Sequence, residues 1–266
     1  MTRLTVTRTI LTLAMLSLVA ACGSDGDPAA DGGAVVTMRM ALTASEPPEG
    51  SAPGAVAFED EAGTPFTIES AQAYVRHIQL DLPAGQSCAE QDLAFQDPVS
   101  CEKDKIEISG PFLVDLIEGT SQPSLAALRI PAGDYRRIDV RFDDADPDEG
   151  LVGDAQTLAD HTMHAIGDLE HDGSDMTFEL LLKFNEDARF EAPEGIVLGE
   201  GEAREALLML DVSKWFQALP VTDCMTEGDL TIEDGTLLID DERSQCSAIE
   251  NTLKDTIKNS GQLQGA

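Results

Sequence analysis

Apolar and polar positions alternate with a period of two along much of this chain. Val36, Met38, Met40 and Leu42 alternate with Thr37, Arg39 and Ala41, the pattern of a half-buried strand. Phe66 and Ile68 begin a second run. Tyr74, Ile78 and Leu80 read as one face of a third, with Arg76 in the same register. Ile106 and Ile108, then Phe112, Val114 and Leu116, continue the theme. Ile138, Val140 and Phe142 are interleaved with Arg137, Asp139 and Arg141. The clearest alternation is Met176, Phe178, Leu180, Leu182 and Phe184, with Thr177, Glu179 and Lys183 facing out. Ala206, Leu208, Leu210 and Val212 predict a last long strand. Turn signals separate the runs: Pro131-Ala132-Gly133-Asp134, Asp172-Gly173-Ser174-Asp175 and Pro193-Glu194-Gly195. A parallel α/β sheet would need long helical crossovers, and these are mostly missing. The pattern therefore predicts an all-β fold, an antiparallel β-sandwich over residues 35–218. One helix is expected near the end. Ser247 and Glu250 have capping-box spacing, Ile249, Leu253 and Ile257 recur every four residues, and Gly261 ends the run. Residues 219–266 are too few for a core of their own and read as a disulfide-closed C-terminal appendage carrying this helix.

The first 21 residues break the alternation and read as an export signal. Arg3 and Arg8 precede an apolar stretch from Ile10 to Val19, too short to span a bilayer. Leu18-Val19-Ala20-Ala21-Cys22 closely resembles the lipobox of bacterial lipoproteins, which implies a lipidated Cys22 at the mature N-terminus. The alternative is an ordinary secretory signal with an incidental cysteine. Residues 22–34 are polar and Gly-rich and read as a flexible tether. In lipoproteins of Gram-negative bacteria an Asp after the cysteine favours inner-membrane retention. Gly23 stands there, so the expected location is the cell envelope, on the outer membrane, anchored by the lipid.

The remaining cysteines agree with export. Cys88, Cys101, Cys224 and Cys246 make an even set, as expected of disulfides in an oxidising compartment. Three pairings are possible. The favoured one is Cys88–Cys101 with Cys224–Cys246, because each closes a short polar loop. No CxxC is present, which leaves a zinc ribbon or thioredoxin-like site without support. Charge narrows the partners further. With 50 Asp+Glu against 17 Lys+Arg, the formal net charge is −33. Such a chain repels nucleic acid and anionic headgroups and is compatible with cations, basic proteins or sugars.

Two blocks resemble a known group of proteins. Phe112-Leu113-Val114-Asp115-Leu116-Ile117-Glu118-Gly119, followed by Leu128-Arg129-Ile130-Pro131-Ala132-Gly133-Asp134-Tyr135-Arg136-Arg137-Ile138, is similar to the "VDLL…G…LPAGxYxxIR" module of uncharacterised bacterial lipoproteins. Leu208-Met209-Leu210-Asp211-Val212-Ser213-Lys214-Trp215-Phe216 resembles the "DVSxWF" segment of related periplasmic lipoproteins, some with copper-handling relatives. The resemblance implies a prealbumin- or immunoglobulin-like sandwich on a lipid anchor. It also implies structural roles for the motifs: the PAG turn starting a strand, and Trp215-Phe216 plugging one end.

Chemistry is sparse. His161, Met163, His164 and His171 gather in eleven residues. Imidazole with thioether suits copper, and imidazole with carboxylate suits zinc. On a helix His161 and His164 would share a face. On a strand they would point apart, leaving a hairpin at Asp172-Gly173 to bring partners together. The competing reading is a solvated hairpin with exposed histidines. Asp144, Asp146 and Asp148 alternate in an acidic loop that could take calcium through oxygen ligands. It lacks the EF-hand pattern, and a solvated loop is the competing reading. No GxSxG, HExxH, P-loop or GxGxxG is present. The sequence thus reads as a non-enzymatic binding or structural module, lipid-anchored to the membrane, with an unidentified protein or polysaccharide partner. The alternatives are periplasmic copper or zinc binding through the His/Met cluster, and hydrolysis of an extracellular polymer by two carboxyls facing across a cleft.

Overall fold

A computed structural model describes residues 33–46, 49, 55–149, 158–171, 173–240 and 246–265. Residues 1–21, expected to be an export signal, and Cys22 lie outside the described residues. The strands are β1 (Gly33–Thr43), β2 (Val56–Glu59), β3 (Pro65–Asp81), β4 (Val99–Glu102), β5 (Lys105–Asp115), β6 (Thr120–Gln122), β7 (Leu128–Pro131) and β8 (Gly133–Phe142). They continue as β9 (Met163–His171), β10 (Ser174–Leu182), β11 (Glu186–Leu198), β12 (Ala203–Asp211), β13 (Thr231–Glu233), β14 (Thr236–Asp240) and β15 (Gly261–Gly265). Three α-helices are described: α1 (Val212–Phe216), α2 (Val221–Glu227) and α3 (Ser247–Asn259).

Alternating side chains build one sheet with a single large core. On β10, Phe178, Leu180 and Leu182 are buried while Thr177 and Glu179 stay half-exposed. The β9–β10 hairpin turns at Gly173, with His171 opposite Ser174. The sheet has fifteen strands in the order β13-β14-β10-β9-β3-β8-β11-β15-β12-β1-β7, with β2 and β5 attached at β3, and β4 and β6 at β5. It curls. The Leu42 N–H donates to the Leu116 carbonyl at 2.8 Å and the Met38 N–H to Leu125 at 2.9 Å, which brings β1 back against the end of β5. The inward apolar faces meet inside that curl.

The all-β expectation holds, but the sheet is mixed rather than purely antiparallel. β1 pairs with β12, β10 with β14, and β11 with β15 in parallel. Parallel neighbours need long connections, and here those connections run through other strands and helices rather than through a helix after each strand. The resulting curled sheet does not divide into two stacked antiparallel layers of the expected kind.

Other boundaries move for local reasons. The second and third expected strands are one strand, β3, with register shifts between Ile68 and Ser70 and between Val75 and His77. Each bulge resets the side-chain alternation. Tyr74 therefore faces a small second cluster with Ala145 and Leu158, while Val75, Ile78 and Leu80 face the main core, and Arg76 points out. Pro193-Glu194-Gly195 is an irregularity within β11, not a turn between strands. Gly195 has φ +77°, and a Cβ there would lie 1.8 Å from Asp134 Oδ1. β12 stops at Asp211 because that side chain caps α1.

Both expected domain borders also shift. The 22–34 tether ends by residue 32, since Gly33 and Ala34 already pair with Pro131 and Ile130 of β7. Residues 219–266 are not an appendage: β14 extends the sheet beside β10, and β15 lies between β11 and β12. α3 forms as expected and buries Ile249, Leu253 and Ile257 in the main core. It starts after Cys246, with no side-chain cap bond, so Ser247 is its first helical residue rather than the cap of a box.

Candidate functional site

The motifs that look most distinctive are structural. Asp211 is fully buried, and its Oδ1 accepts the N–H groups of Ser213 and Ser45, both at 3.2 Å. The Ser213 hydroxyl accepts the Glu46 N–H at 3.3 Å. Trp215 Nε1 donates to the buried Ser260 hydroxyl at 2.7 Å, tying α1 to the junction of α3 and β15. Phe216 packs against Phe58 and Phe66 with ring centroids 4.3 and 5.8 Å away. These side chains close one end of the core. In the PAG turn, the buried Tyr135 hydroxyl donates to the Pro131 carbonyl at 2.8 Å. Burial pushes the Tyr135 phenol far above its ordinary value.

Two disulfides, Cys88–Cys101 and Cys224–Cys246, join the pairs favoured from the sequence.

The histidine cluster is not assembled. Met163 points into the core, whereas the next residue, His164, lies on the other face of β9. His164 Nε2 lies 2.9 Å from Glu179 Oε1 on β10. His171 is seven residues further along the strand, about 23 Å away at roughly 3.3 Å per residue. His161 precedes the strand, with Nδ1 2.9 Å from the Ala159 carbonyl. The strand geometry thus separates the four side chains that a copper or zinc site would need to bring together.

The acidic loop is also spent on itself. Asp144 Oδ1 is 2.8 Å from the Thr162 hydroxyl, and Asp146 Oδ1 accepts the Asp148 N–H at 2.8 Å. Ala145 between them is buried and bridges Ala159. Asp144 is thus tied to Thr162 before β9 and Asp146 to a local turn, rather than both to one calcium centre. Among the described residues, no group of three or more His, Cys, Asp or Glu is placed to hold a metal ion.

A different site lies on the outer face of the central strands. Register lines up Glu107, Gln79, Asp139 and Arg189 across β5, β3, β8 and β11. A second row, Ser109, His77, Arg141 and Asp187, runs beside it. Adjacent strands are about 4.8 Å apart, so the rows form a polar lattice. With the last turn of α3 beside it, the lattice makes a half-open concavity of about 400 Å³. Lys105, Arg137, Arg189 and Lys258 line it, against Asp139 and Asp187.

These four cations are not held equally. Arg137 grips Asp139 with Nε at 2.8 Å from Oδ1 and Nη2 at 2.6 Å from Oδ2. That hydrogen bond raises its already high pKa. Lys258 Nζ lies 2.9 Å from Glu186, and this hydrogen bond raises the lysine pKa. Arg189 approaches Asp139 only to 3.7 Å and Glu191 to 3.8 Å. Lys105 is 3.9 Å from Asp81. Both of these side chains are about half-exposed. Alternation along β8 puts Arg137, Asp139 and Arg141 on its outward face, but strands remote in sequence supply the rest of the site. Alternation within each strand marks the outward positions, and only the register between strands joins them.

No family model matches the chain, and no curated protein matches it. Among solved structures, MbnP from Methylosinus trichosporium is similar over 70% of this chain and 78% of its own, at 11% identity and a TM-score of 0.32.

Proposed function

We propose that this chain is a lipid-anchored cell-envelope module that binds a ligand on the outer face of its sheet without transforming it. The observation that carries the reading is the concavity over β3, β8 and β11, where four basic side chains meet on a chain with net charge −33. Two further features support it. The paired cysteines suit an oxidising compartment, and the lipobox residues before Cys22 suit a lipid anchor on the outer membrane. The prealbumin- or immunoglobulin-like sandwich of the resembling lipoproteins would then be represented here by a curled, mixed relative of that architecture.

Fatty-acid labelling tests the anchor. Wild-type protein is expected to take up label and fractionate with the outer membrane, and Cys22→Ser to appear unlabelled in the soluble periplasm. Unlabelled wild type would remove the anchor from the reading. Titration of the oxidised protein with Cu²⁺, Zn²⁺ and Ca²⁺ tests the alternative. One tightly held copper or zinc, lost in a His161→Ala/His164→Ala variant, would replace ligand binding by metal handling.

A further inference from the structure

We infer that the concavity binds a carboxylate-bearing, hydroxyl-rich molecule of the acidic-saccharide class; this rests on the binding-module reading above and names the ligand of the same site. Three observations lead there. The first is the local reversal of charge. Acids outnumber bases about threefold in the chain, yet four basic side chains and two acidic ones line this concavity.

The second is the unequal grip on those cations. Arg137 has both Asp139 oxygens within 2.8 Å, so it is fixed. Arg189 touches the same carboxylate only at 3.7 Å, beyond hydrogen-bonding distance. Its planar fork suits a bidentate hold on an incoming carboxylate. Lys105, equally loose at 3.9 Å from Asp81, supplies a second positive point beside it.

The third is the rest of the lining. Gln79 and Asn259 each spend an amide N–H, on Glu107 at 3.2 Å and the Asp255 carbonyl at 2.9 Å, so their amide oxygens, with His77 and the outer lone pairs of Asp139, are what the lining offers to ligand hydroxyls. Such a mixture matches a ligand whose anionic group sits among hydroxyls. A bare inorganic anion would use the cations but has no hydroxyls to donate to the acceptors among them. A volume of about 400 Å³ falls within the range of small-ligand pockets. Its half-open shape suits a residue or two of a longer chain lying across the sheet.

The test is calorimetric titration of the full-length oxidised protein in mild detergent. The probes are a galacturonate disaccharide, its neutral galactose counterpart and inorganic sulfate. Binding of the uronate is expected, weakening as ionic strength rises. The neutral sugar and sulfate should each bind at least about tenfold more weakly, as should the uronate to Arg189→Gln. Arg204→Gln, an exposed arginine on β12 paired with Glu202, should leave the affinity unchanged. Equal binding of sulfate and uronate overturns the saccharide assignment, and equal binding of the neutral sugar overturns the role of the cations. No uronate binding, with unchanged unfolding midpoints, overturns the proposal. Fatty-acid labelling of Cys22 is independent of all three results, so loss of the anchor and loss of this ligand are separate failures.

Discussion

At the helical end of the sheet, Asp211 and Asp60 are 0% and 4% exposed. On the outer face, the side chains of Asp139 and Asp187 are 20% and 62% exposed. Asp211 spends Oδ1 on the backbone N–H groups of Ser45 and Ser213, while its Oδ2 faces Lys214 Nζ at 3.8 Å. Asp60 accepts the N–H groups of Ala62 and Thr64 at 3.0 and 2.9 Å, and both the N–H and the hydroxyl of Thr222 at 2.9 and 2.6 Å. It thereby pins the β2–β3 turn to α2. The outer pair face arginines, some at hydrogen-bonding distance and some beyond it. Burial decides the difference in work. A desolvated carboxylate must be hydrogen-bonded to persist, so it becomes part of the framework. A half-exposed one exchanges partners with water and salt at little cost, so its neighbours stay available to a ligand.

Stability measurements can break or sharpen that contrast. The largest effect is expected from Trp215→Ala, which empties a fully buried site and removes the partner of Ser260. A loss of about 4 kcal/mol in urea unfolding is expected; a loss below about 1 kcal/mol would deny the helical end its structural role. Replacing Cys88 and Cys101 together by Ser should cost about 3 kcal/mol through the freed unfolded chain, read by the same method. Asp60→Ala leaves several donors unpaired and should cost about 2 kcal/mol.

Tyr135→Phe should cost about 1 kcal/mol for the lost bond to Pro131, and it carries a pH signature. The phenol of Tyr135 is held above its ordinary value in the fold, so its contribution is fully present below about pH 10. The contribution falls as pH rises toward the folded value, because only the unfolded chain ionises there. Unfolding midpoints followed across alkaline pH should drop less steeply in Tyr135→Phe than in wild type. The smallest effect belongs to Arg189→Gln on the outer face, within about 0.5 kcal/mol of wild type. A loss as large as that of Asp60→Ala would erase the contrast between the two regions.

Period-two alternation made β1, β8 and β10 legible, because each has one buried and one exposed face, whereas the histidine-bearing β9 stayed open between helix and strand. The cysteine pairs were legible from short loops, and the burial of Trp215 and Phe216 from their apolar flanks and the motif that holds them. Register between distant strands was not. Nothing local to residues 236–240 or 261–265 announces a parallel partner, so from sequence alone 219–266 reads as an appendage. Bulges hide in the same way: the single insertion near Arg76 moved Tyr74 to the opposite face from Ile78. The histidines were close in sequence and apart in space. The residues of the concavity were far apart in sequence and gathered by pairing.

The position of β15 sets an order on the making of this protein. Its five residues fill the gap between β11 and β12, pairing Gly261–Gly265 with Ala206–Leu210. A chain that emerges N-terminus first carries two unsatisfied strand edges until that segment has been synthesised. The sheet has no complete form to adopt before that pairing. The same exposed edges make this waiting period the one in which a holding chaperone would matter most.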